Sequence, residues 1–163
     1  MQTFEHNGEI FTYEIKHDSD QGAPWEDEDG HGPVSEWTKR DKLPGELILS
    51  EGRMGNLYYD YAGACKQAFV EGWNAAPYDI PGETKHQQAC RAALADYNWL
   101  RRWANDLGVS PVGIVVRRAG ACECCGDYES LWGIWHDIDS EESWEYLEQT
   151  AHELAGDLAK WTD

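Results

Sequence analysis

The chain has 163 residues, with 13 Lys plus Arg against 31 Asp plus Glu, a formal charge of −18. Its apolar fraction of 41%, with nine Trp, eight Tyr and three Phe, exceeds what disordered acidic chains carry, so it folds, and its length suits a single domain of about 100–200 residues. That charge excludes phosphate backbones and anionic lipid as direct partners and favours a basic one.

In chain order, TFEH and EIFTYEIK flank Asn7-Gly8, the dipeptide that closes a two-residue hairpin. Residues 17–45 have no period, are rich in Gly and Pro, and read as a long irregular acidic loop, of the kind that is usually functional or disordered when it exceeds about 12–15 residues. GELIL near residue 48 and NLYY, joined through GRMG, form a second predicted hairpin. Asp60 caps a short helix that stops at Gly72, and Thr84 with Gln87 make a capping box for a longer helix. The core face of that longer helix is Cys90, Ala93, Leu94, Tyr97, Leu100, Ala104 and Leu107, with Gly108 as its stop.

VGIVVRR (112–118) and SLWGIW (130–135) are strands joined by AGACECCGDYE. The last element is amphipathic: Trp144, Leu147, Ala151, Leu154, Leu158 and Trp161 recur at steps of three and four, with Asp139 as its expected cap. The predicted class is therefore α+β, an antiparallel sheet of about five or six strands packed by about three helices, with a C-terminal amphipathic acidic helix. No apolar stretch approaches the ~20 residues of a membrane span, and MQTFEHNGEI has neither a basic start nor an apolar signal core, so a soluble cytoplasmic protein is expected.

Metal and catalytic motifs are incomplete. Three of the five cysteines, Cys122, Cys124 and Cys125, crowd into one loop, which is no secreted disulfide framework. Cys122 and Cys125 form one zinc knuckle, but no second pair exists to complete four ligands. The run Glu26, Asp27, Glu28, Asp29, Gly30 resembles a calcium loop whose first position is Trp25, not a ligand. His152-Glu153 starts like a zincin helix, but Gly156 stands where the second histidine is required. Neither a nucleophile elbow nor a P-loop occurs. The expectation is a protein without cofactor, metal or catalytic residues.

The acidity itself is the remaining signal. Residues 1–50, 51–110 and 111–163 carry net charges of −8, −1 and −9. Acids three and four apart on a helix lie ~5–6 Å from one another, so Glu141, Glu145 and Glu148 form a row comparable with neighbouring phosphates. The total charge equals that of roughly nine base pairs of duplex. The candidate partner-binding residues are thus Glu26, Asp27, Glu28 and Asp29 on the loop and Glu141, Glu145 and Glu148 on the last helix. A competing expectation is a small-ligand or nucleotide-binding protein, or an enzyme, that uses the Gly30-His31-Gly32 loop with Arg117 or Arg118. A third is a virion structural or assembly factor.

The run PWEDEDGHGPVSEWTKRDKLPGELIL (24–49), with YYDYAGA (58–64) and SLWGIW (130–135), resembles a group of small acidic proteins encoded by tailed bacteriophages and prophages. No activity is attached to that group, so no residue role carries over. The resemblance implies a phage origin, a bacterial host cytoplasm, and an accessory protein that inhibits a host nucleic-acid-handling defence complex, of anti-restriction or anti-CRISPR type, by DNA mimicry. The implied partner is a host protein with a basic, nucleic-acid-binding surface, and direct contact with nucleic acid or membrane is not expected.

Overall fold

The Asn7-Gly8 signal forms the turn it predicts. In the computed structural model, which describes residues 1–122, 124 and 126–160, Asn7 and Gly8 have φ of 52° and 85°. These are the left-handed values a tight hairpin turn requires. They join β1 (Gln2–His6) to β2 (Glu9–His17), paired from His6 with Glu9 to Gln2 with Tyr13. β2 then pairs with β5 (Val109–Arg118), and β5 with β6 (Tyr128–Asp137), giving a four-stranded antiparallel sheet of order β1-β2-β5-β6.

One face of this sheet is covered by α4 (Glu141–Lys160). Its buried stripe is Leu147, Ala151, Ala155 and Leu158, set against Phe11, Tyr13, Val112, Ile114, Val116 and Ile134. The two alanines let the helix approach the bulky strand residues closely, and fully burying a side chain such as Leu147 is worth about 1.5–3 kcal/mol. The helix is capped by Ser140, whose Oγ accepts from Ser143 N at 3.3 Å, not by the expected Asp139. Asp139 N instead donates to Asp137 Oδ1 in the preceding turn. Trp161, expected at the end of the stripe, lies outside the described residues.

The second set of elements has its own core. β3 (Glu46–Gly52) and β4 (Gly55–Asp60) form a two-stranded antiparallel sheet. It is followed by α2 (Tyr61–Glu71), capped by Asp60 and ended by left-handed Gly72. α3 (Lys85–Ala104) has the complete Thr84–Gln87 capping box. Leu49, Leu57, Tyr59, Ala64, Cys65, Ala93 and Leu100 make the core. Of the predicted face of α3, Ala93 and Leu100 are buried in this core and Cys90, Tyr97 and Ala104 pack against it, with Ala89 and Ala92 buried in addition, but Leu94 is 43% exposed and Leu107, past the end of the helix, is 55% exposed. α2 and α3 pack together, and their buried residues are mostly small, Ala64, Cys65 and Ala68 on α2 and Ala89, Ala92 and Ala93 on α3, which permits a close helix approach.

Residues 17–45 are less irregular than their composition suggests. They contain a one-turn helix, α1 (Pro24–Asp27), and then run beside β4, making isolated bridges from Val34 to Tyr59 and from Thr38 to Asn56. Thr38 and Asn56 exchange backbone hydrogen bonds of 3.0 and 2.7 Å. The segment thereby covers strand groups that would otherwise be open to pairing.

The six antiparallel strands and the helices give the expected α+β class, with the strands divided between two sheets. The chain separates into two compact units, one built from 1–21 and 108–163 and the other from 22–107. The first carries 4 basic against 17 acidic residues, a net of −13, and the second 9 against 14, a net of −5. Among the described residues no helix is long and apolar enough to cross a membrane.

Candidate functional site

The acidic helix face lies in the first unit. The apolar stripe of α4 faces the sheet, and Glu141, Glu145 and Glu148 fall along the flank of the helix beside that stripe, all three exposed. Seven residue steps separate the first from the last, about 10 Å along a helix axis at 1.5 Å per residue. None of the three makes an ion pair among the described residues. The one cation of the helix, Lys160, is held by Asp157 at 2.8 Å in the last turn. Glu148 is close enough to Tyr13 to raise that phenol's pKa, although burial is the larger cause.

Glu26, Asp27, Glu28 and Asp29 are also exposed, in the second unit. Proline at the first position and acids in the first turn favour α1. Asp27 Oδ2 accepts from Gly22 N at 2.9 Å, and Trp25 behind the acids packs edge-on to Trp103 with ring centroids 5.2 Å apart. The two acidic groups therefore belong to different units. Among the described residues no group of three or more His, Cys, Asp or Glu is arranged to hold a metal ion. In the cysteine loop the exposed Cys122 and Cys124 bring their sulfurs to 2.8 Å, and Cys125 lies outside the described residues.

The Gly30-His31-Gly32 segment reaches a polar cluster that no motif announced. Asp96, on α3, takes His31 Nδ1 on Oδ1 at 2.6 Å, and Gly32 N and the Tyr59 hydroxyl on Oδ2, each at 2.8 Å. Burial, then the Asp96 charge, push the Tyr59 phenol far above its ordinary pKa, so it stays a donor. Gly32 is required here, because a Cβ would meet the Tyr59 hydroxyl at 2.5 Å and the Ala64 methyl at 2.6 Å. The His31 ring stacks on Trp99 with centroids 5.5 Å apart and planes 14° from parallel.

Of these residues His31, Asp96 and Trp99 line an open cleft of about 420 Å³, together with Gly30, Trp73, Asn74, Ala75, Ala92 and Ala95. Arg91 fixes Asn74 and Ala75: it pairs with Glu83 at 2.7 and 2.8 Å, donates to Asn74 Oδ1 at 3.0 Å and binds the Ala75 carbonyl. The lining contains one carboxylate and no Lys or Arg. Arg117 and Arg118, expected to serve this loop, are engaged within the other unit. Arg118 pairs with Glu9 at 2.5 Å and donates to the Leu158 carbonyl at 3.1 Å, and the Arg117 guanidinium lies 4.9 Å from the Tyr128 ring centroid.

Two further groups had no sequence signal. His136 is buried, with Nδ1 2.8 Å from Ser143 Oγ, its ring edge-on to Trp144 and no partner for Nε2 among the described residues. Burial holds its pKa below the ordinary value, while the Asp137 charge pulls the other way. Cys65 on α2 is buried beside Cys90 and Tyr61, so its thiol titrates above the ordinary range and Tyr61 is pushed up to about 12. Both stay protonated and inert near neutrality. Compared with protein families, with curated proteins and with solved structures, the chain gives no match.

Proposed function

We propose that this is a non-enzymatic accessory protein of tailed bacteriophages which uses the acidic face of α4 to bind, in the host cytoplasm, a basic nucleic-acid-handling protein and block its substrate. The observation that carries this reading is the concentration of charge: −13 within 77 residues of the first unit, with Glu141, Glu145 and Glu148 exposed in a row and in no ion pair among the described residues. Such a surface steers association with a basic groove and loses that advantage as salt rises. Glu26 to Asp29 supply a second, independent acidic patch.

The test is capture from a bacterial host lysate by the tagged protein, repeated at high salt and with Glu141→Lys, Glu145→Lys and Glu148→Lys combined. The reading requires a nucleic-acid-handling protein whose capture falls with salt and is lost in the triple variant. Equal capture by the variant at low salt overturns it. Lysine in the first helical turn opposes the helix dipole by about 0.3–1 kcal/mol, so circular dichroism of the variant accompanies the assay.

The cleft of the second unit favours a second reading, binding of a small ligand. Two tryptophans, a histidine and a carboxylate without any Lys or Arg suit a flat or cationic group and disfavour phosphate. A thermal-shift screen separates the classes: aromatic cations should raise the midpoint and nucleotides should not. A saturating ligand at 100 times its Kd adds about 2.7 kcal/mol.

A further inference from the structure

The motif that failed in sequence is completed in the fold by a residue from another element. His152-Glu153 opens like a metal-binding helix, but Gly156 occupies the place of the second histidine one turn later. The ring of His6, the last residue of β1, fills that place. A Cβ built on Gly156 would stand 3.4 Å from His6 Nε2, an ordinary contact, so the ring lies against α4 at this position. His6 Nδ1 and His152 Nδ1 then face each other at 3.3 Å, with ring centroids 5.6 Å apart.

We propose that His6 and His152 form a two-histidine site for a divalent transition-metal ion, with Zn²⁺ the best match, that bridges β1 to α4. Zn–N bonds of 2.0–2.1 Å in tetrahedral geometry place two ligand nitrogens about 3.3–3.4 Å apart, the separation seen here. The two nitrogens stand within hydrogen-bond range of one another, and the same separation suits a chelate. Neither ring has another hydrogen-bond partner among the described residues, so with both rings in the Nε2–H tautomer the two Nδ1 lone pairs face the same point.

The rings are also held in position before any ion arrives. His152 packs edge-on against Phe4 with centroids 4.6 Å apart, and His6 edge-on against Phe11 at 6.4 Å. Phe11 is buried in the core, so the pair is anchored to rigid elements. Glu148, one turn before His152, lines with it a hollow of about 210 Å³ and adds negative potential. Two protein ligands leave the remaining positions to water, which makes this an exchangeable site and not a closed structural one.

The test is a Zn²⁺ titration followed by calorimetry, on the full chain carrying Cys122→Ser, Cys124→Ser and Cys125→Ser to remove thiolate competition. One Zn²⁺ per chain at micromolar affinity is expected. Binding should weaken at least tenfold in His6→Gln and in His152→Gln and stay unchanged in His86→Gln. The metal-free thermal midpoints of all three report that the fold is kept, and only the parent and the His86 variant should gain stability with added Zn²⁺. Retention of full affinity in both site variants, or no binding to the parent at millimolar Zn²⁺, overturns the assignment.

Discussion

Asp96 Oδ1 lies 2.6 Å from His31 Nδ1 and ties the acidic segment to a helix 65 residues further along the chain. The other oxygen holds Gly32 N and the Tyr59 hydroxyl. Asp96→Ala therefore leaves a buried amide without an acceptor, while Tyr59 falls back on the Ala93 carbonyl at 3.1 Å. An orphaned buried group costs about 1–3 kcal/mol, and with the His31 contact also lost the expected destabilisation is about 2–4 kcal/mol. Asp96→Asn keeps an acceptor and should lose about half as much. Urea unfolding checks both; a change under about 0.5 kcal/mol for the alanine variant would contradict the assigned role.

His136 sets a pH response. Its folded-state pKa is lowered by burial, so between that value and the unfolded value near 6.5 the unfolded chain holds more protons. Stability is then complete above about pH 6.5 and is lost as pH falls through the window, by at most about 1.4 kcal/mol per pH unit. Thermal midpoints from pH 8 to 5 should show this decline in the parent, and His136→Leu should flatten it.

Gly55 has φ +116°, and a Cβ there would stand 2.2 Å from the Thr38 carbonyl oxygen. The clash is with backbone that also exchanges hydrogen bonds with Asn56, so it has no cheap relief. Gly55→Ala is expected to cost about 2–4 kcal/mol, combining left-handed strain with displacement of the covering segment. Gly8, at φ +85° with nothing within 4 Å of its Cβ position, is the control: alanine there should cost only about 1 kcal/mol of strain. Denaturant midpoints of the two variants give the difference.

The uncompensated acids of α4 repel one another in the absence of a partner. Glu145→Lys with Glu148→Lys should therefore raise the thermal midpoint at low ionic strength, and the gain should shrink near 0.1 M salt, where the screening length is about 10 Å. A midpoint that falls, or one that ignores salt, would show that these carboxylates are locally satisfied.

Turns and caps are legible in the sequence because their determinants are local. Asn7-Gly8, Asp60, Gly72 and the Thr84–Gln87 box each depend on neighbours within a few residues, and each forms the turn or cap its chemistry demands. The exposed row of Glu141, Glu145 and Glu148 follows in the same way from helical periodicity. Asp96 could not be assigned, because a carboxylate beside the apolar positions Ala93 and Leu100 signals only that it needs donors, and these come from residues 31, 32 and 59. Leu94 was misplaced because the alanine content of α2 selects the facing surface of α3, which is tertiary information. His6 and His152 are 146 residues apart, and Gly156 reads as a failed motif until β1 is laid beside α4.

The pairing of β2 with β5 has a consequence for how the polypeptide is organised. His17 stands opposite Val112, and Asp18 N donates to the Pro111 carbonyl at 3.0 Å. The chain therefore departs the sheet and re-enters it at adjacent positions. Without the 86 residues from 22 to 107, β1, β2, β5 and β6 would follow one another as a plain meander closed by α4. The second unit is in effect a cassette spliced into a hairpin turn. A short Gly-containing turn in its place is the natural way to obtain the acidic sheet and helix alone, and to ask which property belongs to the host and which to the insert.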